Sequence, residues 1–138
     1  MMNSAVLVHS ICTILTNYGE TLAFAELATT GLLQRQFRHH PLCHQVLREP
    51  AQHFDFYACS SSSQLAIATA ASAASNWAIC TVPLVHQGME VTVAAHGIIN
   101  AQYKLIHPQH LPVQWPPWTA CYEIIERFAI SLTAKSKE

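Results

Sequence analysis

Between Glu90 and Ile106 apolar side chains occupy every second position twice over. They fall first at Val91, Val93 and Ala95, and then at Ile99, Ala101, Tyr103 and Leu105, with His96-Gly97 between the runs. A period of two turns one face of a strand to a core, and a short turn ending in glycine joins two such strands antiparallel. A hairpin alone is unstable in water, so other elements must cover it. The rest of the chain supplies them. Leu7, Ile11, Ile14, Leu15 and Tyr18 have helical spacing, with Ser4 placed to cap and Gly19 to stop the helix. Thr21 to Ala25 reads as a short buried strand, and Thr29 or Thr30 opens a second helix carrying Leu32, Leu33, Gln36 and Phe37. His39 to Pro50 is irregular, punctuated by Pro41 and Pro50, and the aromatic-rich His53 to Ala58 reads as a second strand. Ser60 to Ser63 precede an alanine-rich third helix, Gln64 to Ser75, which Asn76 would close in the left-handed conformation. Trp77 to Val82 is a buried strand. After the hairpin and a proline-rich loop from Pro108 to Pro117, a last helix runs from about Thr119 to Ala134, with Cys121, Ile125, Phe128 and Leu132 as its apolar stripe. The order α-β-α-β-α-β-β-β-α predicts an α/β fold over residues 1–138 as one domain: three layers, α/β/α, around a mixed five-stranded sheet.

Composition narrows the partners. Apolar residues make up 51% of the chain and charged ones 11%, against about 25% charged in an average globular protein. A domain this small cannot hide so much apolar surface alone, which predicts a homo-oligomer, most simply a dimer. The formal net charge is -1 and no basic run occurs, so nucleic acid is not an expected partner. No stretch reaches the roughly 18 apolar residues of a membrane span. The nearest, Leu65 to Val82, is broken by Ser72, Ser75 and Asn76. Met1 to Tyr18 lacks the basic start of a secretory signal. The five cysteines form no C-x-x-C pair and no even framework, which reads as free thiols in a reducing cytoplasm.

The most informative stretch is Tyr18-Gly19-Glu20-Thr21-Leu22-Ala23-Phe24-Ala25-Glu26-Leu27-Ala28-Thr29-Thr30-Gly31-Leu32-Leu33. It resembles the opening of the CinA C-terminal domain family, the nicotinamide mononucleotide amidohydrolases, which reads T-L-A-x-A-E-S-C-T-G-G-L-L after a first helix. Thr21, Leu22, Ala23, Ala25, Glu26, Thr29, Gly31, Leu32 and Leu33 match it. Trp77-Ala78-Ile79-Cys80-Thr81 is similar, more weakly, to the family strand ending in V-T-G, and the Val91 hairpin to its G-T-V-W-I-A hairpin. The resemblance spans about Tyr18 to Ala134 and implies the same three-layer fold. It also implies a pocket at the strand-to-helix loop, where a serine would attack a carboxamide, a lysine would take its proton and helix amides would hold an anion.

This sequence departs from that pattern at each of those places. Leu27 stands where the resemblance places the serine, and leucine has no nucleophilic or hydrogen-bonding atom. Ala28 replaces a cysteine, and Thr30 the first of two glycines. The family's Y-S-N-E-A-K stretch is largely missing, since Tyr57 leads at once into Ala58-Cys59-Ser60, and no lysine precedes Lys104. Val82 to Gly88 replaces a glycine-rich loop, and the arginine before the last helix is gone. The expectation is a degenerate, catalytically inactive homologue acting as a binding or interaction module. It has no catalytic residues, no cofactor and no metal. Its vestigial pocket is formed by Glu26, Leu27, Thr29, Thr30, Gly31 and Thr81, with weak affinity for an anion or a mononucleotide.

Two other readings stay open: a hydrolase with a rebuilt site, and a purely structural oligomerisation partner. For the former, Ser60 to Ser63 could supply a nucleophile, with His53 and Asp55 neighbours on one strand face, or Cys59 could. A serine run before an alanine-rich helix is more simply a cap. His39-His40-Pro41-Leu42-Cys43-His44 is dense in metal-ligand types, but no second ligand cluster stands at a standard spacing, so a solvated polar loop is expected there. Trp115, Trp118 and Tyr122 read as a loop packed on the core or a dimer contact. His86, His96, His107 and His110 read as surface histidines.

Overall fold

The structure is a computed structural model that describes residues 4–85, 88–106 and 117–136. Five α-helices, α1 (Ala5–Tyr18), α2 (Leu32–Arg38), α3 (Cys43–Val46), α4 (Ser62–Ala73) and α5 (Pro117–Ser136), surround four strands, β1 (Leu22–Glu26), β2 (Trp77–Pro83), β3 (Met89–Ala95) and β4 (Ile98–Leu105). The strands lie in the order β1-β2-β3-β4. The β1–β2 pair is parallel and the other two are antiparallel. Helices cover both faces, so the three-layer α/β architecture is as expected. His96 and Gly97 both take positive φ, 54° and 81°, as the tight hairpin turn requires.

Among the described residues the sheet has four strands rather than five. Residues 53–58 form a turn and one 3-10 turn, Phe56–Ala58, because Asp55 accepts the Tyr57 N–H on its own side chain and folds the backbone locally. Phe54 and Phe56 pack edge to face, with ring centroids 4.9 Å apart, instead of alternating across a pleat. What remains beyond β1 is a single parallel bridge between Leu22 and Leu47, with Arg48 N–H donating to the Leu22 carbonyl at 2.9 Å. Pro50, which has no N–H, follows. Within His39 to Pro50 the structure adds the short α3. Asn76 does not close α4: Ala74 takes the left-handed position, with φ 53°. The Asn76 side-chain oxygen instead accepts from Thr21 N–H at 2.9 Å, pinning β1 to the start of β2. The loop expected from Pro108 to Pro117, with Trp115, lies outside the described residues except for Pro117, which opens α5, and His86, His107 and His110 lie outside them too.

The two faces differ. Toward α1, α2 and α5 the sheet presents Leu22, Phe24, Trp77, Ile79, Val91 and Val93, and the Trp77 and Phe128 rings meet edge to face at 5.3 Å. Each such large apolar side chain contributes about 1.5–3 kcal/mol on burial. Toward α4 the register lines up three rows. The first is Ala23, Ala78, Ala94 and Ile99. The second is Ala25, Cys80, Thr92 and Gln102, and the third runs from Val82 through Glu90 to Lys104, with Leu27, just past the end of β1, packed on the same core as Val82. Small side chains in the first rows let α4, itself rich in alanine, lie close to the sheet. The third row turns polar, and it borders the candidate site.

Candidate functional site

The strand-to-helix loop after β1 is held by the backbone carbonyl and the hydroxyl of Thr81. Leu27 and Ala28 N–H donate to the Thr81 carbonyl at 2.9 and 3.1 Å. The Thr81 hydroxyl oxygen accepts from Ala28 N–H at 3.3 Å and Thr29 N–H at 3.2 Å. Thr29 Oγ1 lies 2.7 Å from Glu26 Oε1 and 3.0 Å from Thr81 Oγ1. A carboxylate only accepts, so Thr29 donates its proton to Glu26 and Thr81 donates to Thr29. Glu26 then reaches around the loop: Oε1 accepts from Leu33 N–H at 2.7 Å and Oε2 from Gln34 N–H at 3.1 Å. Its negative charge sits on the first turn of α2, where helix amides favour it. Thr30, with φ 49°, and Gly31, with φ 92°, carry the chain through two left-handed positions into the helix.

All six residues singled out in the sequence therefore lie around this loop, but on two sides of the sheet. Glu26, Thr29 and Thr81 form an internal clamp on the α2 side, and Thr29 and Thr81 are fully buried. Thr30 is exposed and Gly31 half-buried. Leu27 alone turns to the α4 side. There it lines a cleft of about 150 Å³ with Phe56, Tyr57, Cys59, Ser60, Ser61, Ser62, Leu65 and Val82. Ligand pockets usually run to about 300–1,000 Å³. A larger, shallow groove of about 790 Å³ runs alongside between residues 51–59 and α4, and His53, Asp55 and Cys59 lie on it. His53 and Asp55 belong to a turn, not a strand, and the Asp55 carboxylate is engaged by its own backbone.

The serine run behaves as a cap. Ser61 accepts from Gln64 N–H at 3.1 Å, and Ser60 donates to Gln64 Oε1. Ser62 does something the sequence reading missed. It is 3% exposed and sits at the centre of a polar network. Its hydroxyl donates to Glu90 and accepts from Thr92 Oγ1 at 2.8 Å and Gln102 Nε2 at 3.2 Å. The signal was available: Glu90 and Thr92 are the alternate positions to Val91 and Val93, so both had to share the face opposite the larger core. Lys104 stands across from Glu90 in the strand register.

The histidine segment is tied to α1, where His9 Nδ1 lies 3.0 Å from His40 Nε2. Among the described residues no three His, Cys, Asp or Glu side chains converge as a metal site. Burial raises the thiols of Cys12 to about 11 and of Cys80 and Cys121 to about 12, from an ordinary 9.0. At neutral pH these three are inert apolar groups. Cys59 is the half-buried exception.

Several solved structures share this fold over nearly the whole chain. The competence or damage-inducible protein from Enterobacter asburiae superposes with a TM-score of 0.76 at 12% identity, covering 96% of this chain and 99% of that one. A competence-damaged protein (CinA) superfamily protein from Klebsiella pneumoniae gives 0.74 at 12%, covering 97% and 98%. The competence/damage inducible protein CihA from Agrobacterium tumefaciens gives 0.66 at 14%, covering 94% and 93%. No protein-family model matches the sequence, and no curated protein does. The fold is thus that of the CinA superfamily proteins.

Proposed function

We propose that this chain is a CinA-like domain that no longer hydrolyses nicotinamide mononucleotide and serves as a binding or interaction module, working as a homodimer in the cytoplasm. One observation carries the reading: Leu27, at the position the resemblance gives to the nucleophilic serine, presents a hydrocarbon side chain to a cleft of about 150 Å³. The loop around it supports the same view. Its amides bond to Thr81, and a carboxylate of the chain already occupies the first turn of α2. A phosphate would meet Glu26 there, so any anion or mononucleotide binds weakly. A loop closed on itself favours a role exerted through the surface, as a structural oligomerisation partner. A rebuilt hydrolase fares less well, because Ser62 is buried and its hydroxyl already holds three partners. No described helix is long and apolar enough to cross a membrane.

Ammonia release from nicotinamide mononucleotide tests the reading on the native chain and on Leu27→Ser. Neither is expected to turn over. Leu27 follows the end of β1 and Lys104 lies on β4, three strand spacings across the sheet, about 14 Å at the usual spacing. An extended lysine reaches about 6 Å and a serine about 2.5 Å, so the restored hydroxyl remains roughly 6 Å from the amine. Without a base the reaction loses about 10²- to 10⁴-fold. Turnover by the native chain would overturn the proposal. Light scattering at tens of micromolar checks the dimer, and a monomer there removes that part.

A further inference from the structure

The His9–His40 contact joins the exposed side of α1 to the turn between α2 and α3. Its proton arrangement follows from one further bond. His40 Nδ1 accepts the Leu42 backbone N–H at 3.1 Å, so that nitrogen carries no proton. A neutral imidazole then holds its proton on Nε2 and donates it to His9 Nδ1. His9 in turn must be unprotonated at Nδ1. The reverse direction, from His9 to His40, would leave His40 without any ring proton, a state outside the physiological range. Both hydrogen bonds therefore coexist only when both rings are neutral. A proton on His9 Nδ1 faces the Nε2–H of His40, and a proton on His40 Nδ1 faces the Leu42 N–H.

The surroundings give an imidazolium no help. Residues 5–18 and 32–46 contain no carboxylate, while Arg35, Arg38, His39 and His44 cluster on the second segment. The other titratable groups there are the thiols of Cys12 and Cys43 and the phenol of Tyr18. Glu49, the next acidic residue, is drawn to Arg38 at 3.7 Å. On α5, which also packs on α1 and α2, the titratable groups are Cys121, Tyr122, Glu123, Glu126, Arg127 and Lys135, with Glu123 paired to Arg127 at 2.7 Å, and on β1 Glu26 is engaged by the Leu33 and Gln34 amides of α2. Among the described residues no carboxylate forms an ion pair with either ring. We propose that the His9–His40 pair is a proton-sensitive latch, closed while both rings are neutral, that releases the α2–α3 turn from α1 on mild acidification. The release is local, because Ser4 Oγ still donates to Gln36 at 2.8 Å between α1 and α2.

The sign follows directly. A proton added to either ring breaks one of the two hydrogen bonds, so the latch is intact while both rings are neutral and is lost as pH falls through the ordinary histidine range. Proton NMR of the full chain follows the ring signals from pH 8 to 5, with hydrogen exchange read as protection factors. The Leu42 amide, which donates to His40 Nδ1, is expected to lose about tenfold in protection between pH 8 and pH 5.5 as the local opening grows. In His40→Ala, which removes the acceptor, Leu42 protection is expected to be low and the same at both pH values. Leu42 protection in the native chain that does not change with pH, or that changes equally in His40→Ala, overturns the latch.

Discussion

Replacing Thr81 by valine removes one oxygen and almost no volume, which isolates the hydroxyl that organises the loop after β1. The methyl that takes its place fills the same space, so no cavity term enters. Ala28 N–H keeps the Thr81 carbonyl at 3.1 Å as an acceptor. Thr29 N–H has no alternative: its one acceptor is the lost oxygen, and Thr29 is 1% exposed. Thr29 Oγ1 retains Glu26 and loses the proton it receives from Thr81. One orphaned buried donor costs about 1–3 kcal/mol. At about 2.1 cal/mol/K per residue, the unfolding entropy of 138 residues converts that to a fall of roughly 3–10 °C in Tm. Urea unfolding and a thermal scan measure both. Thr81→Ser is the control, since it keeps the oxygen and loses a methyl, at about 0.5–1.5 kcal/mol on the scale of single-methylene truncations. If valine is tolerated within about 0.5 kcal/mol while serine costs more, the site depends on packing at Thr81 and the hydrogen-bond account is wrong.

The thiols give a chemical check: at pH 8 a small alkylating reagent is expected to label Cys59 first, with Cys12, Cys80 and Cys121 protected until the chain unfolds, as mass spectrometry of digests would reveal. Because burial holds those three thiols protonated up to about 11, 12 and 12, their contribution to stability is intact below pH 9 and falls as pH rises, by about 1.4 kcal/mol per pH unit for each. A urea midpoint that does not move between pH 8 and 10 contradicts this. Ser62→Ala deprives Thr92 and Gln102 of their acceptor and Glu90 of its donor, and is expected to cost about 1–3 kcal/mol. Ser60→Ala, which touches only Gln64 at the surface, should stay within about 0.5 kcal/mol.

Periodicity was most legible where it was longest. The hairpin and its turn, the stripe of α5 and the Gly19 stop all lie where residue spacing places them, because each signal is local. The strand expected at residues 53–58 does not form, because aromatic content favours a strand only where a neighbouring strand pairs with it. Asp55 offered the backbone a competing local bond, and β propensity is mostly a statement about neighbours. Asn76 was assigned to a cap by residue type, and its tie to Thr21, 55 positions away, leaves no local trace. For the site, the motif located the loop and grouped Glu26, Thr29 and Thr81. It could not tell that Glu26 folds back onto α2, since that depends on the left-handed turns at Thr30 and Gly31. Capping accounts for a serine run before a helix so completely that it masks the second role of Ser62, which shows only in the alternation of Glu90 and Thr92 with Val91 and Val93.

The Thr81 clamp also bears on when this end of the molecule forms. Thr29 and Thr81 are 52 residues apart, so the loop gains its bonds only after a long segment, including all of α4, has been closed off, and closure entropy must be met before those bonds exist. α2 has 7 residues and no side-chain cap from its own N-cap residue, too short to stand by itself in water. Its first turn waits for Glu26, and Glu26 is aligned only once β1 has found β2. Nucleation is thus expected in the β3–β4 hairpin and the docking of α5, with residues 27–38 ordering late. The same dependence runs backward in the native protein: a transient separation at the Thr81 end of β2 frees the loop and the helix together, as one cooperative opening.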